Sequence, residues 1–238
     1  GLGETDAVCA SEYLPGRRYD RVVAITRSGT TTEILDALRQ VPPGARRTVV
    51  TAVTGQPVDA LADDRVLLDF ADETSVVQTR FPTAVLILAR AALGEDVSSV
   101  PADGATALAA DLPAAPESVR HTVFLGRGWT VGLANEAALK VREAAQAWSE
   151  SYPAMDFRHG PVAVAGPESL VFSFGEVPDG LAGTIAAAGA THYASDLDPL
   201  AQLVLAQRFA VALAARNGLD PDTPRLLTRS VILADQQC

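Results

Sequence analysis

The sequence predicts an α/β protein: two three-layer αβα sandwich halves with parallel sheets, related by pseudo-symmetry. Three observations carry that expectation. Short apolar runs of strand length alternate with longer helical patterns, an order that folds into parallel sheet with helices on both faces. A strand, a tight turn and a helix occur around 21–40 and recur from His121 onward, a repeat of pattern more than of identity. A Pro/Ala-rich connection at 100–116 separates the two occurrences. The halves are expected at 1–111 and 112–223, followed by a tail at 224–238.

The elements follow in order. The opening residues fit at most a short strand at 7–10. RVVAIT at 21–26 reads as a buried strand, 27–32 as a tight loop, and 33–40 as a helix of two turns. Strands are expected at 48–54 and 66–70, then a long helix at 76–93 with a kink at Pro82. In the second half Val123, Phe124 and Leu125 form a strand, and Gly126 and Gly128 a turn. A long alanine-rich helix comes next, and then an irregular segment ending at His159-Gly160-Pro161. Strands at 171–174 and 191–194 flank a short helix at 178–188; an apolar helix at 200–216 precedes the Pro-rich tail.

Composition narrows the class. The chain has 238 residues, 48% hydrophobic and 20% charged, which is ample for a globular core of one or two domains. Aromatics are only 5%, so that core must be mostly Ala, Val and Leu. A net charge of −10 argues against nucleic-acid or anionic-membrane partners, and an anionic substrate would need a local positive pocket. No apolar run reaches the roughly 18 residues of a membrane span, and no signal peptide is visible. Cys9 and Cys238 lack metal-type spacing and read as reduced thiols of a cytoplasmic protein. Neither a metal nor a cofactor is expected.

Two constellations carry chemistry. Glu136, Lys140 and Glu143 lie at i, i+4 and i+7 of the alanine-rich helix, with the outer two about 60° apart around the axis. One face therefore holds two carboxylates and an ammonium beside small apolar neighbours. Charges against a packed surface must be paired or functional. The bland reading is an ion-pair ladder worth a few tenths of a kcal/mol per pair. Glu150, Tyr152, Asp156, Arg158 and His159 crowd the segment that follows, a density a plain surface loop does not need. Earlier in the chain, Thr26-Arg27-Ser28-Gly29-Thr30-Thr31-Thr32 links a strand to a helix. Such a turn aims backbone N–H groups, hydroxyls and the positive helix end at one point, which suits a phosphate monoester. Its simpler reading is an N-cap, with Glu33 adding favourable charge to the helix start.

Three stretches together resemble the SIS (sugar isomerase) domain family: AITRSGTTTEILDAL, then GRG through EAALKVREA to SESYPAMDFRHGPVAV, and PRLLTRSVIL. The likeness covers most of the chain. It is strongest to the isomerase region of glucosamine-6-phosphate synthase and to stand-alone phosphosugar isomerases, deaminases and fructosamine deglycases. The resemblance implies that Thr26, Ser28, Gly29 and Thr31 hold a phosphate, with Gln78 where the family usually has another hydroxyl. It implies Glu143 as the base that moves a proton between C1 and C2, supported by Lys140 and Glu136. His159 matches the family's ring-opening histidine, which arrives from a neighbouring subunit and so implies a homodimer. The tail matches a segment that closes over the sugar, but Arg229 stands where the synthase carries an imine-forming lysine. A guanidinium stays protonated and forms no imine, so Arg229 is read as an oxyanion, phosphate or carboxylate contact. The family's opening strand, Gly-Thr-Ser-type loop and helix have no counterpart before Thr26 in the given residues. The glutamine-hydrolysing half of the synthase has no counterpart either.

The expected function is a phosphosugar-processing enzyme that isomerises an aldose and ketose, or removes an amine from an aminosugar or fructosamine phosphate, through an enediol-type intermediate. The alternative is a non-catalytic sugar-phosphate sensor. Both make a phosphorylated sugar or aminosugar the partner.

Overall fold

The computed structural model describes residues 3–233. The chain divides into two compact units: residues up to Leu88 together with the segment from Thr228 onward, and Ala89–Leu227.

In the first unit β1 (Arg21–Ile25), β2 (Arg46–Thr51) and β3 (Asp64–Leu67) form a parallel sheet in that order. Helix α1 (Thr32–Gln40) connects β1 to β2 and packs Leu38 with Ala24, Val41, Val49 and Val58. Glu33 favours its positive end, and it stops before Pro42-Pro43, which can neither donate nor leave the preceding residue helical. On the other face, Val50, Ala52 and Leu68 meet Phe81 and Val85 at the start of α2 (Arg80–Ala92). No strand forms at 7–10, where a 3-10 turn spans Ala10–Glu12.

Helix α2 starts later than its sequence pattern suggests, and Glu73 is the reason. This buried carboxylate accepts the N–H groups of Thr79, Arg80 and Phe81 at 3.0–3.2 Å, satisfying donors that have no partner within the helix. Pro82 then falls in the first turn, where its missing N–H costs nothing and no kink is required. Gln78, expected within the helix, instead lies half-buried in the loop before it.

In the second unit β4 (His121–Gly126), β5 (Ser149–Pro153), β6 (Ser169–Ser173) and β7 (Thr191–Tyr193) form a parallel sheet in the order β5-β4-β6-β7. Strand β5 was not expected, because SESYP is polar. It pairs at the sheet edge, anchored by the Ser149 hydroxyl donating to the Ala138 carbonyl at 2.6 Å. The Glu150 carboxylate lies 2.9 Å from His121 Nε2, whose Nδ1 meets the Ser169 hydroxyl at 3.1 Å. On one face Val123, Leu125 and Val171 pack with Phe157 and with Leu181 and Ile185 of α5 (Leu181–Ala187). Alternation sends Phe124 and Phe172 to the opposite face with ring centroids 5.8 Å apart.

Helix α4 (Thr130–Ala145) packs against β4, β5 and α6 (Pro199–Arg216). Five of its nine buried residues are alanine, so its axis comes close to its neighbours. The expected connection at 100–116 contains a further helix, α3 (Val100–Ala109), which packs on α6. Pro101 sits in its first turn and alanine dominates the rest, a pattern that favours helix despite the proline. Among the described residues no helix is long and apolar enough to cross a membrane.

Candidate active-site elements

The second unit carries the charged face of α4. Lys140 is 4% exposed, its Nζ 2.5 Å from Glu143 Oε2 and 3.4 Å from Glu136 Oε1. The carboxylates are only partly exposed, at 20% and 22% of their side chains. This is not a solvated ladder: the ammonium is buried, and the two acids beside it are only partly exposed. The sequence spacing gave the shared face; burial of the lysine separates this arrangement from an ordinary surface pair.

A glycine turn fixes the start of α4. A Cβ on Gly126 would fall 2.3 Å from the Thr130 carbonyl oxygen, so the strand end and the helix start can meet only at glycine. Thr130 closes the turn: its hydroxyl accepts from the Arg127 N–H at 2.8 Å and lies 3.1 Å from the Phe174 carbonyl. Past the strand ends, the fully buried Gln202 donates to the Ser195 and Leu197 carbonyls and accepts from the Gly175 N–H. Sequence reading passed over Gln202, whose only signal is an amide in an apolar helix.

His159 ends a 3-10 turn, Asp156–His159, and its side chain is exposed. Among the described residues no hydrogen bond or ion pair joins it to Glu143. Beside it, Arg158 donates to the Asp179 carbonyl, tying this turn to the approach to α5. His192, to which no role was assigned, lies 3.0 Å from the Ser173 hydroxyl, and burial pushes its pKa down.

The first unit carries the Ser28 loop. Thr26, Ser28 and Gly29 are buried and Thr31 is partly exposed. The Gly29 N–H donates to the Thr26 hydroxyl at 3.2 Å, and the Thr30 N–H donates to the Ser28 hydroxyl at 3.3 Å. Gly29 has φ +67°, and a Cβ there would meet Gln56 at 2.8 Å and Val58 at 2.9 Å. The turn is therefore wound tightly by its own hydroxyls at the N-terminus of α1. Among the described residues the N–H groups of Ser28 and Thr31 have no acceptor.

Arg27, unassigned from sequence, is 3% exposed and links three segments. It donates to the Ser75 carbonyl at 2.8 Å and the Arg229 carbonyl at 3.3 Å, while its own carbonyl accepts from the Thr51 hydroxyl. Burial first, then the nearby Arg229 charge, lowers its pKa. Arg229 is engaged as well: it pairs with Asp72 and donates to the Glu73 carbonyl at 2.6 Å. Cys9 is exposed; Cys238 lies outside the described residues.

No family model matches the chain. It is similar to glutamine–fructose-6-phosphate aminotransferases (isomerizing). That of Aeropyrum pernix is 30% identical over 94% of this chain and 46% of the relative, and that of Halobacterium salinarum 30% over 93% and 46%. The chain thus spans about half the length of the curated relatives it matches. Among solved structures it superimposes on glucosamine-6-phosphate deaminase from Thermotoga maritima with a TM-score of 0.79 and 23% identity, covering 94% of this chain and 80% of that one. Tagatose-6-phosphate ketose/aldose isomerase from Escherichia coli gives 0.70 at 19% identity, covering 92% and 72%. These likenesses show the same fold. By sequence this chain is a homologue of the glutamine–fructose-6-phosphate aminotransferases, and its fold is the SIS fold of its solved phosphosugar-enzyme neighbours.

Proposed function

We propose that this chain is a phosphosugar-processing enzyme, interconverting an aldose and ketose or removing the amine of an aminosugar or fructosamine phosphate. The observation that carries the reading is the α4 face, where a buried ammonium sits between two partly exposed carboxylates in a homologue of the aminotransferases. In this reading Glu143 takes the proton from C2 and returns it to C1, or the reverse, through an enediol. Lys140 fixes the Glu143 carboxylate in one rotamer and Glu136 holds the far side of the ammonium. The Ser28 loop binds the phosphoryl group through Thr26, Ser28 and Thr31, with the N–H groups of Ser28 and Thr31 as further donors, and Gln78 at its margin.

His159 is the proton shuttle for ring opening. Its exposed imidazole, without a hydrogen-bond partner among the described residues, fits a residue lent to a neighbouring subunit; the working form in this reading is a homodimer, in the cytoplasm. The Arg229 guanidinium rules out a lysine-type imine from this tail position.

The test is proton exchange at C2 of a ketose phosphate in heavy water. The parent chain should exchange, and Glu143→Gln should lose about 10²–10⁴-fold while still binding ligand. Unchanged exchange in that variant would remove Glu143 from the mechanism. Binding without exchange by the parent chain would favour the sensor reading.

A further inference from the structure

The tail makes contacts that the phosphosugar reading does not use. The Ser230 hydroxyl oxygen lies 2.9 Å from the Thr30 hydroxyl, which donates to it, and 3.2 Å from the Thr31 hydroxyl. Either side of Ser230 the tail is held by its backbone. The Thr32 N–H donates to the Val231 carbonyl at 3.1 Å, and the Leu233 N–H donates to the Thr32 hydroxyl at 2.9 Å. On the other flank, Arg229 is clamped by Asp72 and the Glu73 carbonyl, and the buried Arg27 donates to the Arg229 carbonyl.

The Thr31 hydroxyl is thus already engaged, and its partner is an oxygen carried by the chain itself. A hydroxyl has one proton to donate, so Thr30, whose proton is directed at Ser230, cannot also serve a phosphoryl oxygen at full strength. Thr31 is bound by the same limit when it is the donor to Ser230. A tethered group also competes at high effective concentration.

We propose that Ser230 is a built-in competitor for the anion site. Its hydroxyl oxygen stands in for one ligand oxygen at Thr30 and Thr31, and a phosphoryl group must displace it to bind. Arg229 and Arg27 keep the tail seated by gripping its backbone and side chain one residue away. The clamp is already satisfied: Arg229 pairs with the Asp72 carboxylate and the Glu73 carbonyl, and the nearby Glu73 and Asp72 charges offset that of Arg27. This inference rests on the Ser28 loop being the phosphate site.

The experiment titrates the 238-residue chain with inorganic phosphate and with fructose 6-phosphate by calorimetry. It compares the parent with Ser230→Ala and Ser28→Ala, and follows hydrogen exchange of the 228–233 segment. Ser230→Ala should bind both anions about five-fold more tightly, the scale of one net hydrogen bond. In the parent, ligand should speed exchange in the 228–233 segment. Unchanged or weaker binding by Ser230→Ala, or slower tail exchange on adding ligand, would overturn the competitor role. Binding that Ser28→Ala leaves intact would instead sink the phosphate-loop reading on which it stands. Absence of binding in both the parent and Ser230→Ala would sink the two together.

Discussion

Replacing Lys140 by Met tests whether the α4 charges act as a unit. Methionine keeps most of the side-chain length, so packing changes little, but the ammonium between Glu136 and Glu143 is lost. An exposed ion pair is worth about 0.2–1 kcal/mol, whereas removing one partner of a fully buried pair costs about 3–5 kcal/mol. The ammonium here is buried, with 5% of its side chain exposed, while its partners are 20% and 22% exposed. Water therefore screens part of the loss, and about 2–3 kcal/mol is expected. At a urea dependence of about 1–3 kcal/mol per molar, the unfolding midpoint should fall by about 0.7–3 M. Adding Glu143→Gln to Lys140→Met should recover part of that loss, because one of the two carboxylates left unopposed is then neutral. The cycle should show about 1–2 kcal/mol of coupling. A loss below about 0.5 kcal/mol, or strict additivity, would refute the reasoning and return the triplet to a solvated ladder.

Two further outcomes follow from the geometry. Gly29→Ala places a Cβ at φ +67° and 2.8–2.9 Å from Gln56 and Val58, so thermal or urea unfolding should show a loss of about 2–4 kcal/mol; a loss within 0.5 kcal/mol would mean the loop rewinds freely, a threshold set by ordinary surface changes at about that size. Burial holds the pKa of His192 below its ordinary value near ~6.5, so the unfolded chain takes up that proton first. The contribution of neutral His192 is then fully present above that pH and is lost as pH falls through the folded value. Urea midpoints between pH 7.5 and pH 5 should accordingly drop less steeply in His192→Gln than in the parent chain, and equal slopes would contradict the assignment.

How much the sequence foretold differs between elements for physical reasons. Strands such as RVVAI and VFLG are rich in β-branched or aromatic apolar residues, so local pattern identifies them as strands, but RVVAI is not the buried strand expected: Val23 and Ile25 are exposed. SESYP was illegible because an edge strand buries little and β5 is held by partners distant in sequence, His121 and the Ala138 carbonyl. The start of α2 was misplaced for a similar reason: the carboxylate that caps it sits six residues before Thr79, outside any local capping spacing. Arg27 and Gln202 looked like unremarkable polar residues until burial showed what they hold together.

The sequence by itself determined the alternation of strands and helices apart from β5 and α3, the i, i+4, i+7 face of Glu136, Lys140 and Glu143, and the hydroxyl-rich turn before α1. These depend on spacing and residue type along the chain, which short-range geometry converts directly into structure. Only the tertiary structure decided that Lys140 is buried between its carboxylates, that Arg229 is spent on Asp72 and Glu73, and that Ser230 meets Thr30 and Thr31. Burial and contacts across some 200 residues of chain arise from how the elements pack, and no local pattern encodes them.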